Sequence, residues 1–284
     1  MHLLIFGLGY SGAAVARMAR ARGLRVSATS RDPARVFASH GAAEGIAVLP
    51  FGGTLPEGIT HVLATAPPTE AGDPVLRAYA ATLAGSPTMR WAGYLSTTGV
   101  YGDRAGNWVD ETTVPAPGNA RSHRRLAAEQ EWSALAARFS VDLFRVAGIY
   151  GPGRSAFDDL RAGRARRVLK PGHDFGRIHC DDIAGAALAA VAQTLPPGVR
   201  VFHLADDTPS ESAAVIEEAA ALLGLPPPPA VPFEQAAAGM SEMARSFWAE
   251  NRKVASRRTQ QILGYRWRHP SYREGLRAIL ADGG

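Results

Sequence analysis

Short apolar runs alternate along this chain with stretches whose apolar residues recur at helical spacing. LLIF at 3–6 is uninterrupted and stops at Gly7, the pattern of a strand buried on both faces. Residues 11–22 are alanine-rich, with Val15 and Met18 spaced for a helix and Gly23 as its stop. LRVSATS at 24–30 reads as a second strand, and Asp32-Pro33 as an N-cap followed by proline at the first helical position. IAVLPF, HVLATA and WAGYLST give the third, fourth and fifth strands, with a helix over 73–83 between the last two. A long helix over 121–138, a sixth strand in VDLFRVAGIYG, a helix over 181–192 and a late strand in VRVFHLAD complete the alternation. Such alternation predicts an α/β fold, a parallel sheet wrapped by helices. Past Asp207 the pattern changes: helical segments are broken by LPPPPAVPF, which cannot be regular helix, and short helices surround Pro270. The expected organisation is a parallel α/β domain over 1–205 and a small helical C-terminal lobe over 206–284, with parts of 150–180 as candidates to join the lobe.

Composition narrows this picture. The 284 residues are 46% hydrophobic, ordinary for a globular protein with a substantial core. No apolar stretch reaches the roughly 18–20 residues of a membrane helix, so no membrane partner is expected. The apolar start lacks a basic n-region and is interrupted by glycine, which favours a buried strand over a signal peptide. A single cysteine, Cys180, excludes an intramolecular disulfide and a cysteine-rich metal cage, and a cytoplasmic setting is the default. The net charge of +5 is spread through helices without an aromatic-interleaved patch, so nucleic acid is not the expected partner. A small-molecule substrate is, and some arginines can serve an anionic cofactor or substrate.

Gly7, Gly9 and Gly12 spell G-x-G-x-x-G between a strand and a helix. Gly7 permits the tight turn, Gly9 lets backbone approach a pyrophosphate, and Gly12 lets the helix pack close to the strand. The helix start at Tyr10 and Ser11 offers free N–H groups and a partial positive charge to phosphates. This arrangement predicts a Rossmann-type, doubly wound parallel sheet that binds a nicotinamide dinucleotide. Cofactor choice is read at the end of the second strand, where an NAD enzyme usually places a carboxylate for the ribose hydroxyls. Here stand Thr29, Ser30 and Arg31, with Arg35 a turn further on, a set that suits a 2′-phosphate. Asp32 is the counter-argument, though its Asp-Pro setting fits a helix cap. NADP is favoured, with NAD as the alternative.

By the fifth strand the residues point to a family. YLSTTGVYGD at 94–103, AEQEW on the long helix, RVAGIYGPG at 145–153 and RIHCDDIAGA at 177–186 together resemble the extended short-chain dehydrogenase/reductases, the NAD(P)-dependent epimerase/dehydratase group. The resemblance implies that Thr97, with Ser96 beside it, is the catalytic hydroxyl that binds the reacting substrate oxygen. It implies that Ala64, Thr65 and Ala66 line the cofactor, that Tyr150, Gly151 and Pro152 lie near the nicotinamide, and that His179 and Asp182 lie near the lobe interface. It also implies a homodimer paired through the long helix.

Two departures mark an atypical branch. The family carries Y-x-x-x-K on the long helix and a glutamate four residues later; counting back from Glu129 puts Arg125 in place of the lysine and Arg121 in place of the tyrosine. Arginine stays charged, so it polarises an oxygen but is a poor proton shuttle. Phe6 stands where the group's first turn glycine belongs. Four residues apart, Arg121 and Arg125 share a helix face. They are candidate catalytic residues as an anion clamp for a substrate carboxylate or phosphate, or else members of a solvated basic face. His123 or Tyr101 would then supply a proton. No H-E-x-x-H or paired Cys/His spacing suggests a metal, and no G-x-S-x-G elbow suggests a hydrolase. Three functions follow: an NADP-dependent oxidoreductase or epimerase/dehydratase-like enzyme on a small polar, anionic substrate; a non-catalytic NAD(P)-binding sensor or scaffold; and, less in keeping with the VYG and YGPG turns, an enzyme of the hydroxyacid-dehydrogenase kind.

Overall fold

The computed structural model describes residues 1–34 and 45–283. Seven parallel strands form the central sheet. They are β1 (His2–Phe6), β2 (Arg25–Ser30), β3 (Ala47–Pro50), β4 (His61–Ala64), β5 (Trp91–Thr97), β7 (Ser140–Val146) and β11 (Gly198–Leu204), where β6 (Trp108–Val109), β8 (Gly148–Tyr150), β9 (Arg167–Leu169) and β10 (Arg177–His179) lie outside it. The order across the sheet is β11-β7-β5-β4-β1-β2-β3, with every pair parallel. All carboxyl ends therefore point to one edge, where such folds bind ligands.

Alternation of side chains divides each strand between two cores. Leu3 and Ile5 join the core under α1 (Tyr10–Ala21), while Leu4 and Phe6 join the one under α2 (Pro74–Gly85) and α3 (Ala120–Ser133). This two-sided burial is the reason β1 reads as an unbroken apolar run. Asp73 caps α2 by accepting from the N–H groups of Val75 and Leu76, with proline in the first turn as that position favours. Pro33 and Ala34 are helical. After α4 (Ala156–Arg161) and α5 (Cys180–Val191), the rest of the chain forms α6 (Ser212–Leu222), β12 (Ala230–Pro232), α7 (Phe233–Ala237), α8 (Glu242–Trp248), β13 (Lys253–Val254), α9 (Arg257–Leu263) and α10 (Tyr272–Ala281). Among the described residues no helix is long and apolar enough to cross a membrane.

Three elements differ from the sequence pattern. The run VDLFRVAGIYG is two strands, because after Val146 the chain leaves the sheet and β8 pairs with β10. Gly148 makes this exit possible: its N–H donates to Gly176 O, and a Cβ there would lie 3.2 Å from that oxygen. The helix expected to reach residue 138 ends as α-helix at Ser133 and tightens into a 3₁₀ turn over Ala134–Ala137. The proline-rich connector contains β12, a short strand paired with β9 alone, where proline is tolerated.

Candidate functional site

A cavity of about 640 Å³ opens at the carboxyl edge of the sheet. Its walls come from the end of β5, the start of α3, the exit from β7 into β8, β10, and α8 with the segment that follows it. The glycine turn lies alongside, joined to this region by the Tyr10 hydroxyl, which donates to Pro152 O at 3.0 Å.

The turn is shaped for a close ligand. Gly7 has φ +95°, a conformation that favours glycine, and the Thr65 hydroxyl donates to its carbonyl at 2.7 Å. A Cβ on Gly12 would lie 2.2 Å from Gly7 O, so only glycine lets α1 sit this close to the turn. A Cβ on Gly9 would meet nothing within 4 Å, leaving its side of the turn open. Gly9 begins α1 without a side-chain cap, and the first turn, containing Tyr10 and Ser11, has no acidic residue. Uncapped N–H groups, a positive helix end and an open glycine face fit the pyrophosphate of a dinucleotide. At the end of β2, Arg31 is exposed and Ser30 Oγ accepts from Asp32 N at 3.1 Å. Arg35 lies outside the described residues. Ala64 is buried at the end of β4, Thr65 braces Gly7, and Ala66 packs on the α2 side of the sheet.

Thr97 and Ser96 both line the cavity, but their hydroxyls are placed differently. Thr97 Oγ1 accepts from Gly99 N at 3.1 Å, capping the 3₁₀ turn Thr98–Tyr101, which leaves its own proton to donate. Ser96 is buried and donates to Glu129 Oε1 at 2.5 Å. Glu129 in turn pairs with Arg145 at 2.7 Å, with the two side chains 3% and 6% exposed. Arg145 donates to the Tyr101 hydroxyl at 2.7 Å, and that hydroxyl lies 2.5 Å from His203 Nε2. Tyr101 is thus held in a buried network, and burial raises its pKa to about 12. Neither Tyr101 nor His123 is among the residues lining the cavity. Tyr150 lines it, yet its hydroxyl donates to Ser271 O and burial drives its pKa upward. No lysine stands among the lining residues.

Arg121 and Arg125 both line the cavity. Arg125 donates to Leu95 O at 2.9 Å and to the Tyr94 hydroxyl at 3.2 Å, which draws its guanidinium to the end of β5. The exposed Arg121 lies 4.7 Å over the Phe247 ring. Arg154 and Arg177 complete a set of four. Among the described residues none of the four forms an ion pair, whereas the other charged groups of the wall are matched: Arg252 by Glu250 at 2.8 Å and Asp174 by Lys253 at 3.3 Å. Arg154, Arg177, Phe247 and Trp248 escaped sequence reasoning because they arrive from three separate segments, the turn after β8, β10 and α8. Glu129 served there only as a marker for counting, although a lone arginine within the apolar strand around Arg145 signals a buried carboxylate partner.

His179 and Asp182 knit the end of the chain to α5. Asp182 accepts from the Tyr265 hydroxyl and from the N–H groups of Arg268 and His269. The rings of His179 and His269 lie 4.1 Å apart, and burial lowers the pKa of His179 to about 4. His179, Cys180 and Asp181 bring three donor atoms within 4.8 Å, but His179 Nδ1 accepts from Asp181 N, a helix-capping arrangement that accounts for the cluster.

Comparison with solved structures matches this architecture throughout the chain. The human epimerase family protein SDR39U1 (isoform 2), solved with NADPH, is 19% identical with TM-score 0.78 and covers 99% of this chain and 100% of its own. MoeE5, solved with UDP-glucose and NAD, is 21% identical with TM-score 0.79 and covers 99% and 98%. The chain therefore carries the fold of the NAD(P)-dependent epimerase/dehydratase proteins. Within that class it belongs to the same family as a functionally unknown conserved protein from Silicibacter pomeroyi DSS, 44% identical with TM-score 0.90 over 99% of both chains. A curated relative, the 3-diazoavenalumate denitrifying reductase of a Streptomyces species, is 31% identical over 177 residues, 57% of this chain and 54% of that protein. The chain spans about half the length of the curated relatives it matches. No family model matches it.

Proposed function

We propose that the chain is an NADP-dependent oxidoreductase of the epimerase/dehydratase-like kind, acting on a small anionic substrate. The observation that carries the proposal is that Arg121, Arg125, Arg154 and Arg177, none of them in an ion pair among the described residues, line the cavity that also holds Thr97. Unpaired like charges repel one another and lose solvation as a cavity closes, and an anionic ligand offsets both costs. The reductase among the curated relatives and the NADPH-bound human neighbour support the same direction.

When bound, the dinucleotide would supply hydride exchange at its nicotinamide ring. Gly7, Gly9 and Gly12 with the start of α1 would hold its pyrophosphate, and Ser30 and Arg31 its 2′-phosphate. Thr97 would donate a hydrogen bond to the substrate oxygen, while Ser96, committed to Glu129, fixes the strand end beneath it. Arg121 and Arg125 orient the substrate by its negative charge and polarise it. Cytoplasmic residence and pairing of two copies through α3 belong to this reading, and light scattering tests the pairing.

Titration with NADPH and NADH, for wild type and Arg31→Ala, tests the cofactor assignment. The expected result is NADPH binding that the substitution weakens about tenfold or more, with NADH little changed. Binding of neither nucleotide by the wild type overturns the proposal. The replacement of the family's tyrosine and lysine by Arg121 and Arg125 favours one rival, a binding protein that senses NAD(P) without turnover. NADPH oxidation with any member of a panel of carbonyl-containing carboxylates excludes that rival.

A further inference from the structure

We infer that Ser122 is a second oxygen-binding residue of the site, and that a carbonyl or alcohol oxygen of the substrate is held between its hydroxyl and that of Thr97; this rests on the oxidoreductase reading above. Ser122 stands in the first turn of α3, one residue beyond Arg121. It is 3% exposed, and it lines the cavity beside Thr97, Thr98 and Gly99. Its backbone N–H goes to Asn119 Oδ1, but among the described residues its hydroxyl has no hydrogen-bond partner. A hydroxyl so enclosed, and without a protein partner, gains from a ligand atom that completes its hydrogen bonding.

Gly99 opens one space to both hydroxyls. A Cβ on it would lie 3.0 Å from Ser122 Oγ and 3.3 Å from Thr97 Oγ1, so only the missing side chain leaves the hollow between them free. Thr97 Oγ1 accepts from Gly99 N and keeps its own proton to give. Two donors therefore face the hollow, and a carbonyl oxygen, with two lone pairs, accepts from both. The start of α3 adds a partial positive charge, with no acidic residue in its first turn. Arg125 follows Ser122 by one helical turn on the same cavity wall. These charges favour an oxygen that becomes negative as hydride adds to its carbon and the C=O π pair moves onto the oxygen. Neither hydroxyl ionises near neutral pH, so the pair holds and stabilises that oxygen. The proton that completes the alcohol comes from water, which is left as hydroxide. Ser122 thereby gives the hydrogen bond for which the family uses the tyrosine that Arg121 replaces.

The test is the crystal structure of the NADP+ complex for wild type, Ser122→Ala and Gly99→Ala, with NADPH oxidation followed against a panel of aldehydes and ketones. The expected result is a water in the wild type within hydrogen-bond distance of both Thr97 Oγ1 and Ser122 Oγ, in the place of the substrate oxygen. Both variants should lose that water and keep their NADPH affinity in calorimetry, which shows that they fold. For any carbonyl that the wild type reduces, each variant is expected to lower kcat/KM about 100-fold, and Ser122→Thr to recover much of the loss. A wild-type water on Thr97 alone, no water at all, or unchanged kcat/KM in Ser122→Ala overturns the inference, while retained NADPH binding leaves the oxidoreductase reading standing. If no panel member is reduced, the wild-type water alone decides. Failure of the wild type to bind either nucleotide removes that reading, and this inference with it.

Discussion

At the scale of single residues, the glycine turn separates folding from binding. Gly12 lies within a helix, where alanine is ordinarily better by about 1 kcal/mol. The 2.2 Å approach of its would-be Cβ to Gly7 O outweighs that gain, since overpacking of this kind costs about 1–3 kcal/mol. Gly12→Ala should therefore lower the urea midpoint and nucleotide affinity together. Gly9, at φ −81°, has open space around it. Gly9→Ala should keep the wild-type midpoint and still weaken NADPH binding, and unchanged affinity would show that no ligand backs onto this glycine. Asp206 gives a prediction in pH. It is buried, its Oδ2 has no hydrogen-bond partner, and burial pushes its pKa from 3.8 to about 8. The folded state holds a proton there that the unfolded chain has released. Its contribution to stability is thus complete below about pH 4, declines as pH rises, and is lost above about 8. Asp206→Asn should be more stable than wild type at pH 8.5 and should gain nothing at pH 4. The sequence Ala-Asp-Asp after a strand reads as a surface turn. Only the return of the chain over β11 reveals that the first aspartate is enclosed.

At the scale of elements, Glu129 is where α3, β5 and β7 meet, through Ser96 and Arg145. Glu129→Leu would leave a buried guanidinium without its partner, which costs about 3–5 kcal/mol. Chemical denaturation should show that loss, and replacing Arg145 by methionine in the same chain should recover much of it. The central strands were legible because each is buried on both faces and so spells a continuous apolar run. The glycine turn was legible because its spacing is set by a strand, a tight turn and a helix in succession. The break at Ala147 was not, since an apolar strand leaving one sheet for another partner keeps the same composition. β12 and β13 were hidden for a different reason. Two or three residues of pairing carry no periodicity, and their existence depends on β9 and β6 being brought alongside.

At the scale of the molecule, the last eighty residues are part of the core that the sheet needs. Leu263 and Trp267 pack in the same core as Leu3, Val15 and Ile183, and Thr259 Oγ1 accepts from His203 N at the end of β11. A chain cut after residue 205 should therefore show no cooperative thermal transition, whereas the full chain should show one. The candidate cavity was only half legible for the same reason. Thr97, Arg121 and Arg125 announced themselves by spacing, but α8 supplies the aromatic wall from more than a hundred residues away, and sequence gives no distance in space.

The strand order also has a kinetic consequence. β1 is synthesised first yet stands inside the sheet, flanked by β2 and by β4, whose residues follow some sixty positions later. Until that segment leaves the ribosome, the β4-side edge of β1 has no strand to pair with, a template for unwanted association. Long loops must also close before the parallel ladders form, which slows folding relative to a helical bundle of equal stability. Refolding from denaturant should accordingly be slow and concentration-sensitive, with yield improved by dilution or by a holding chaperone.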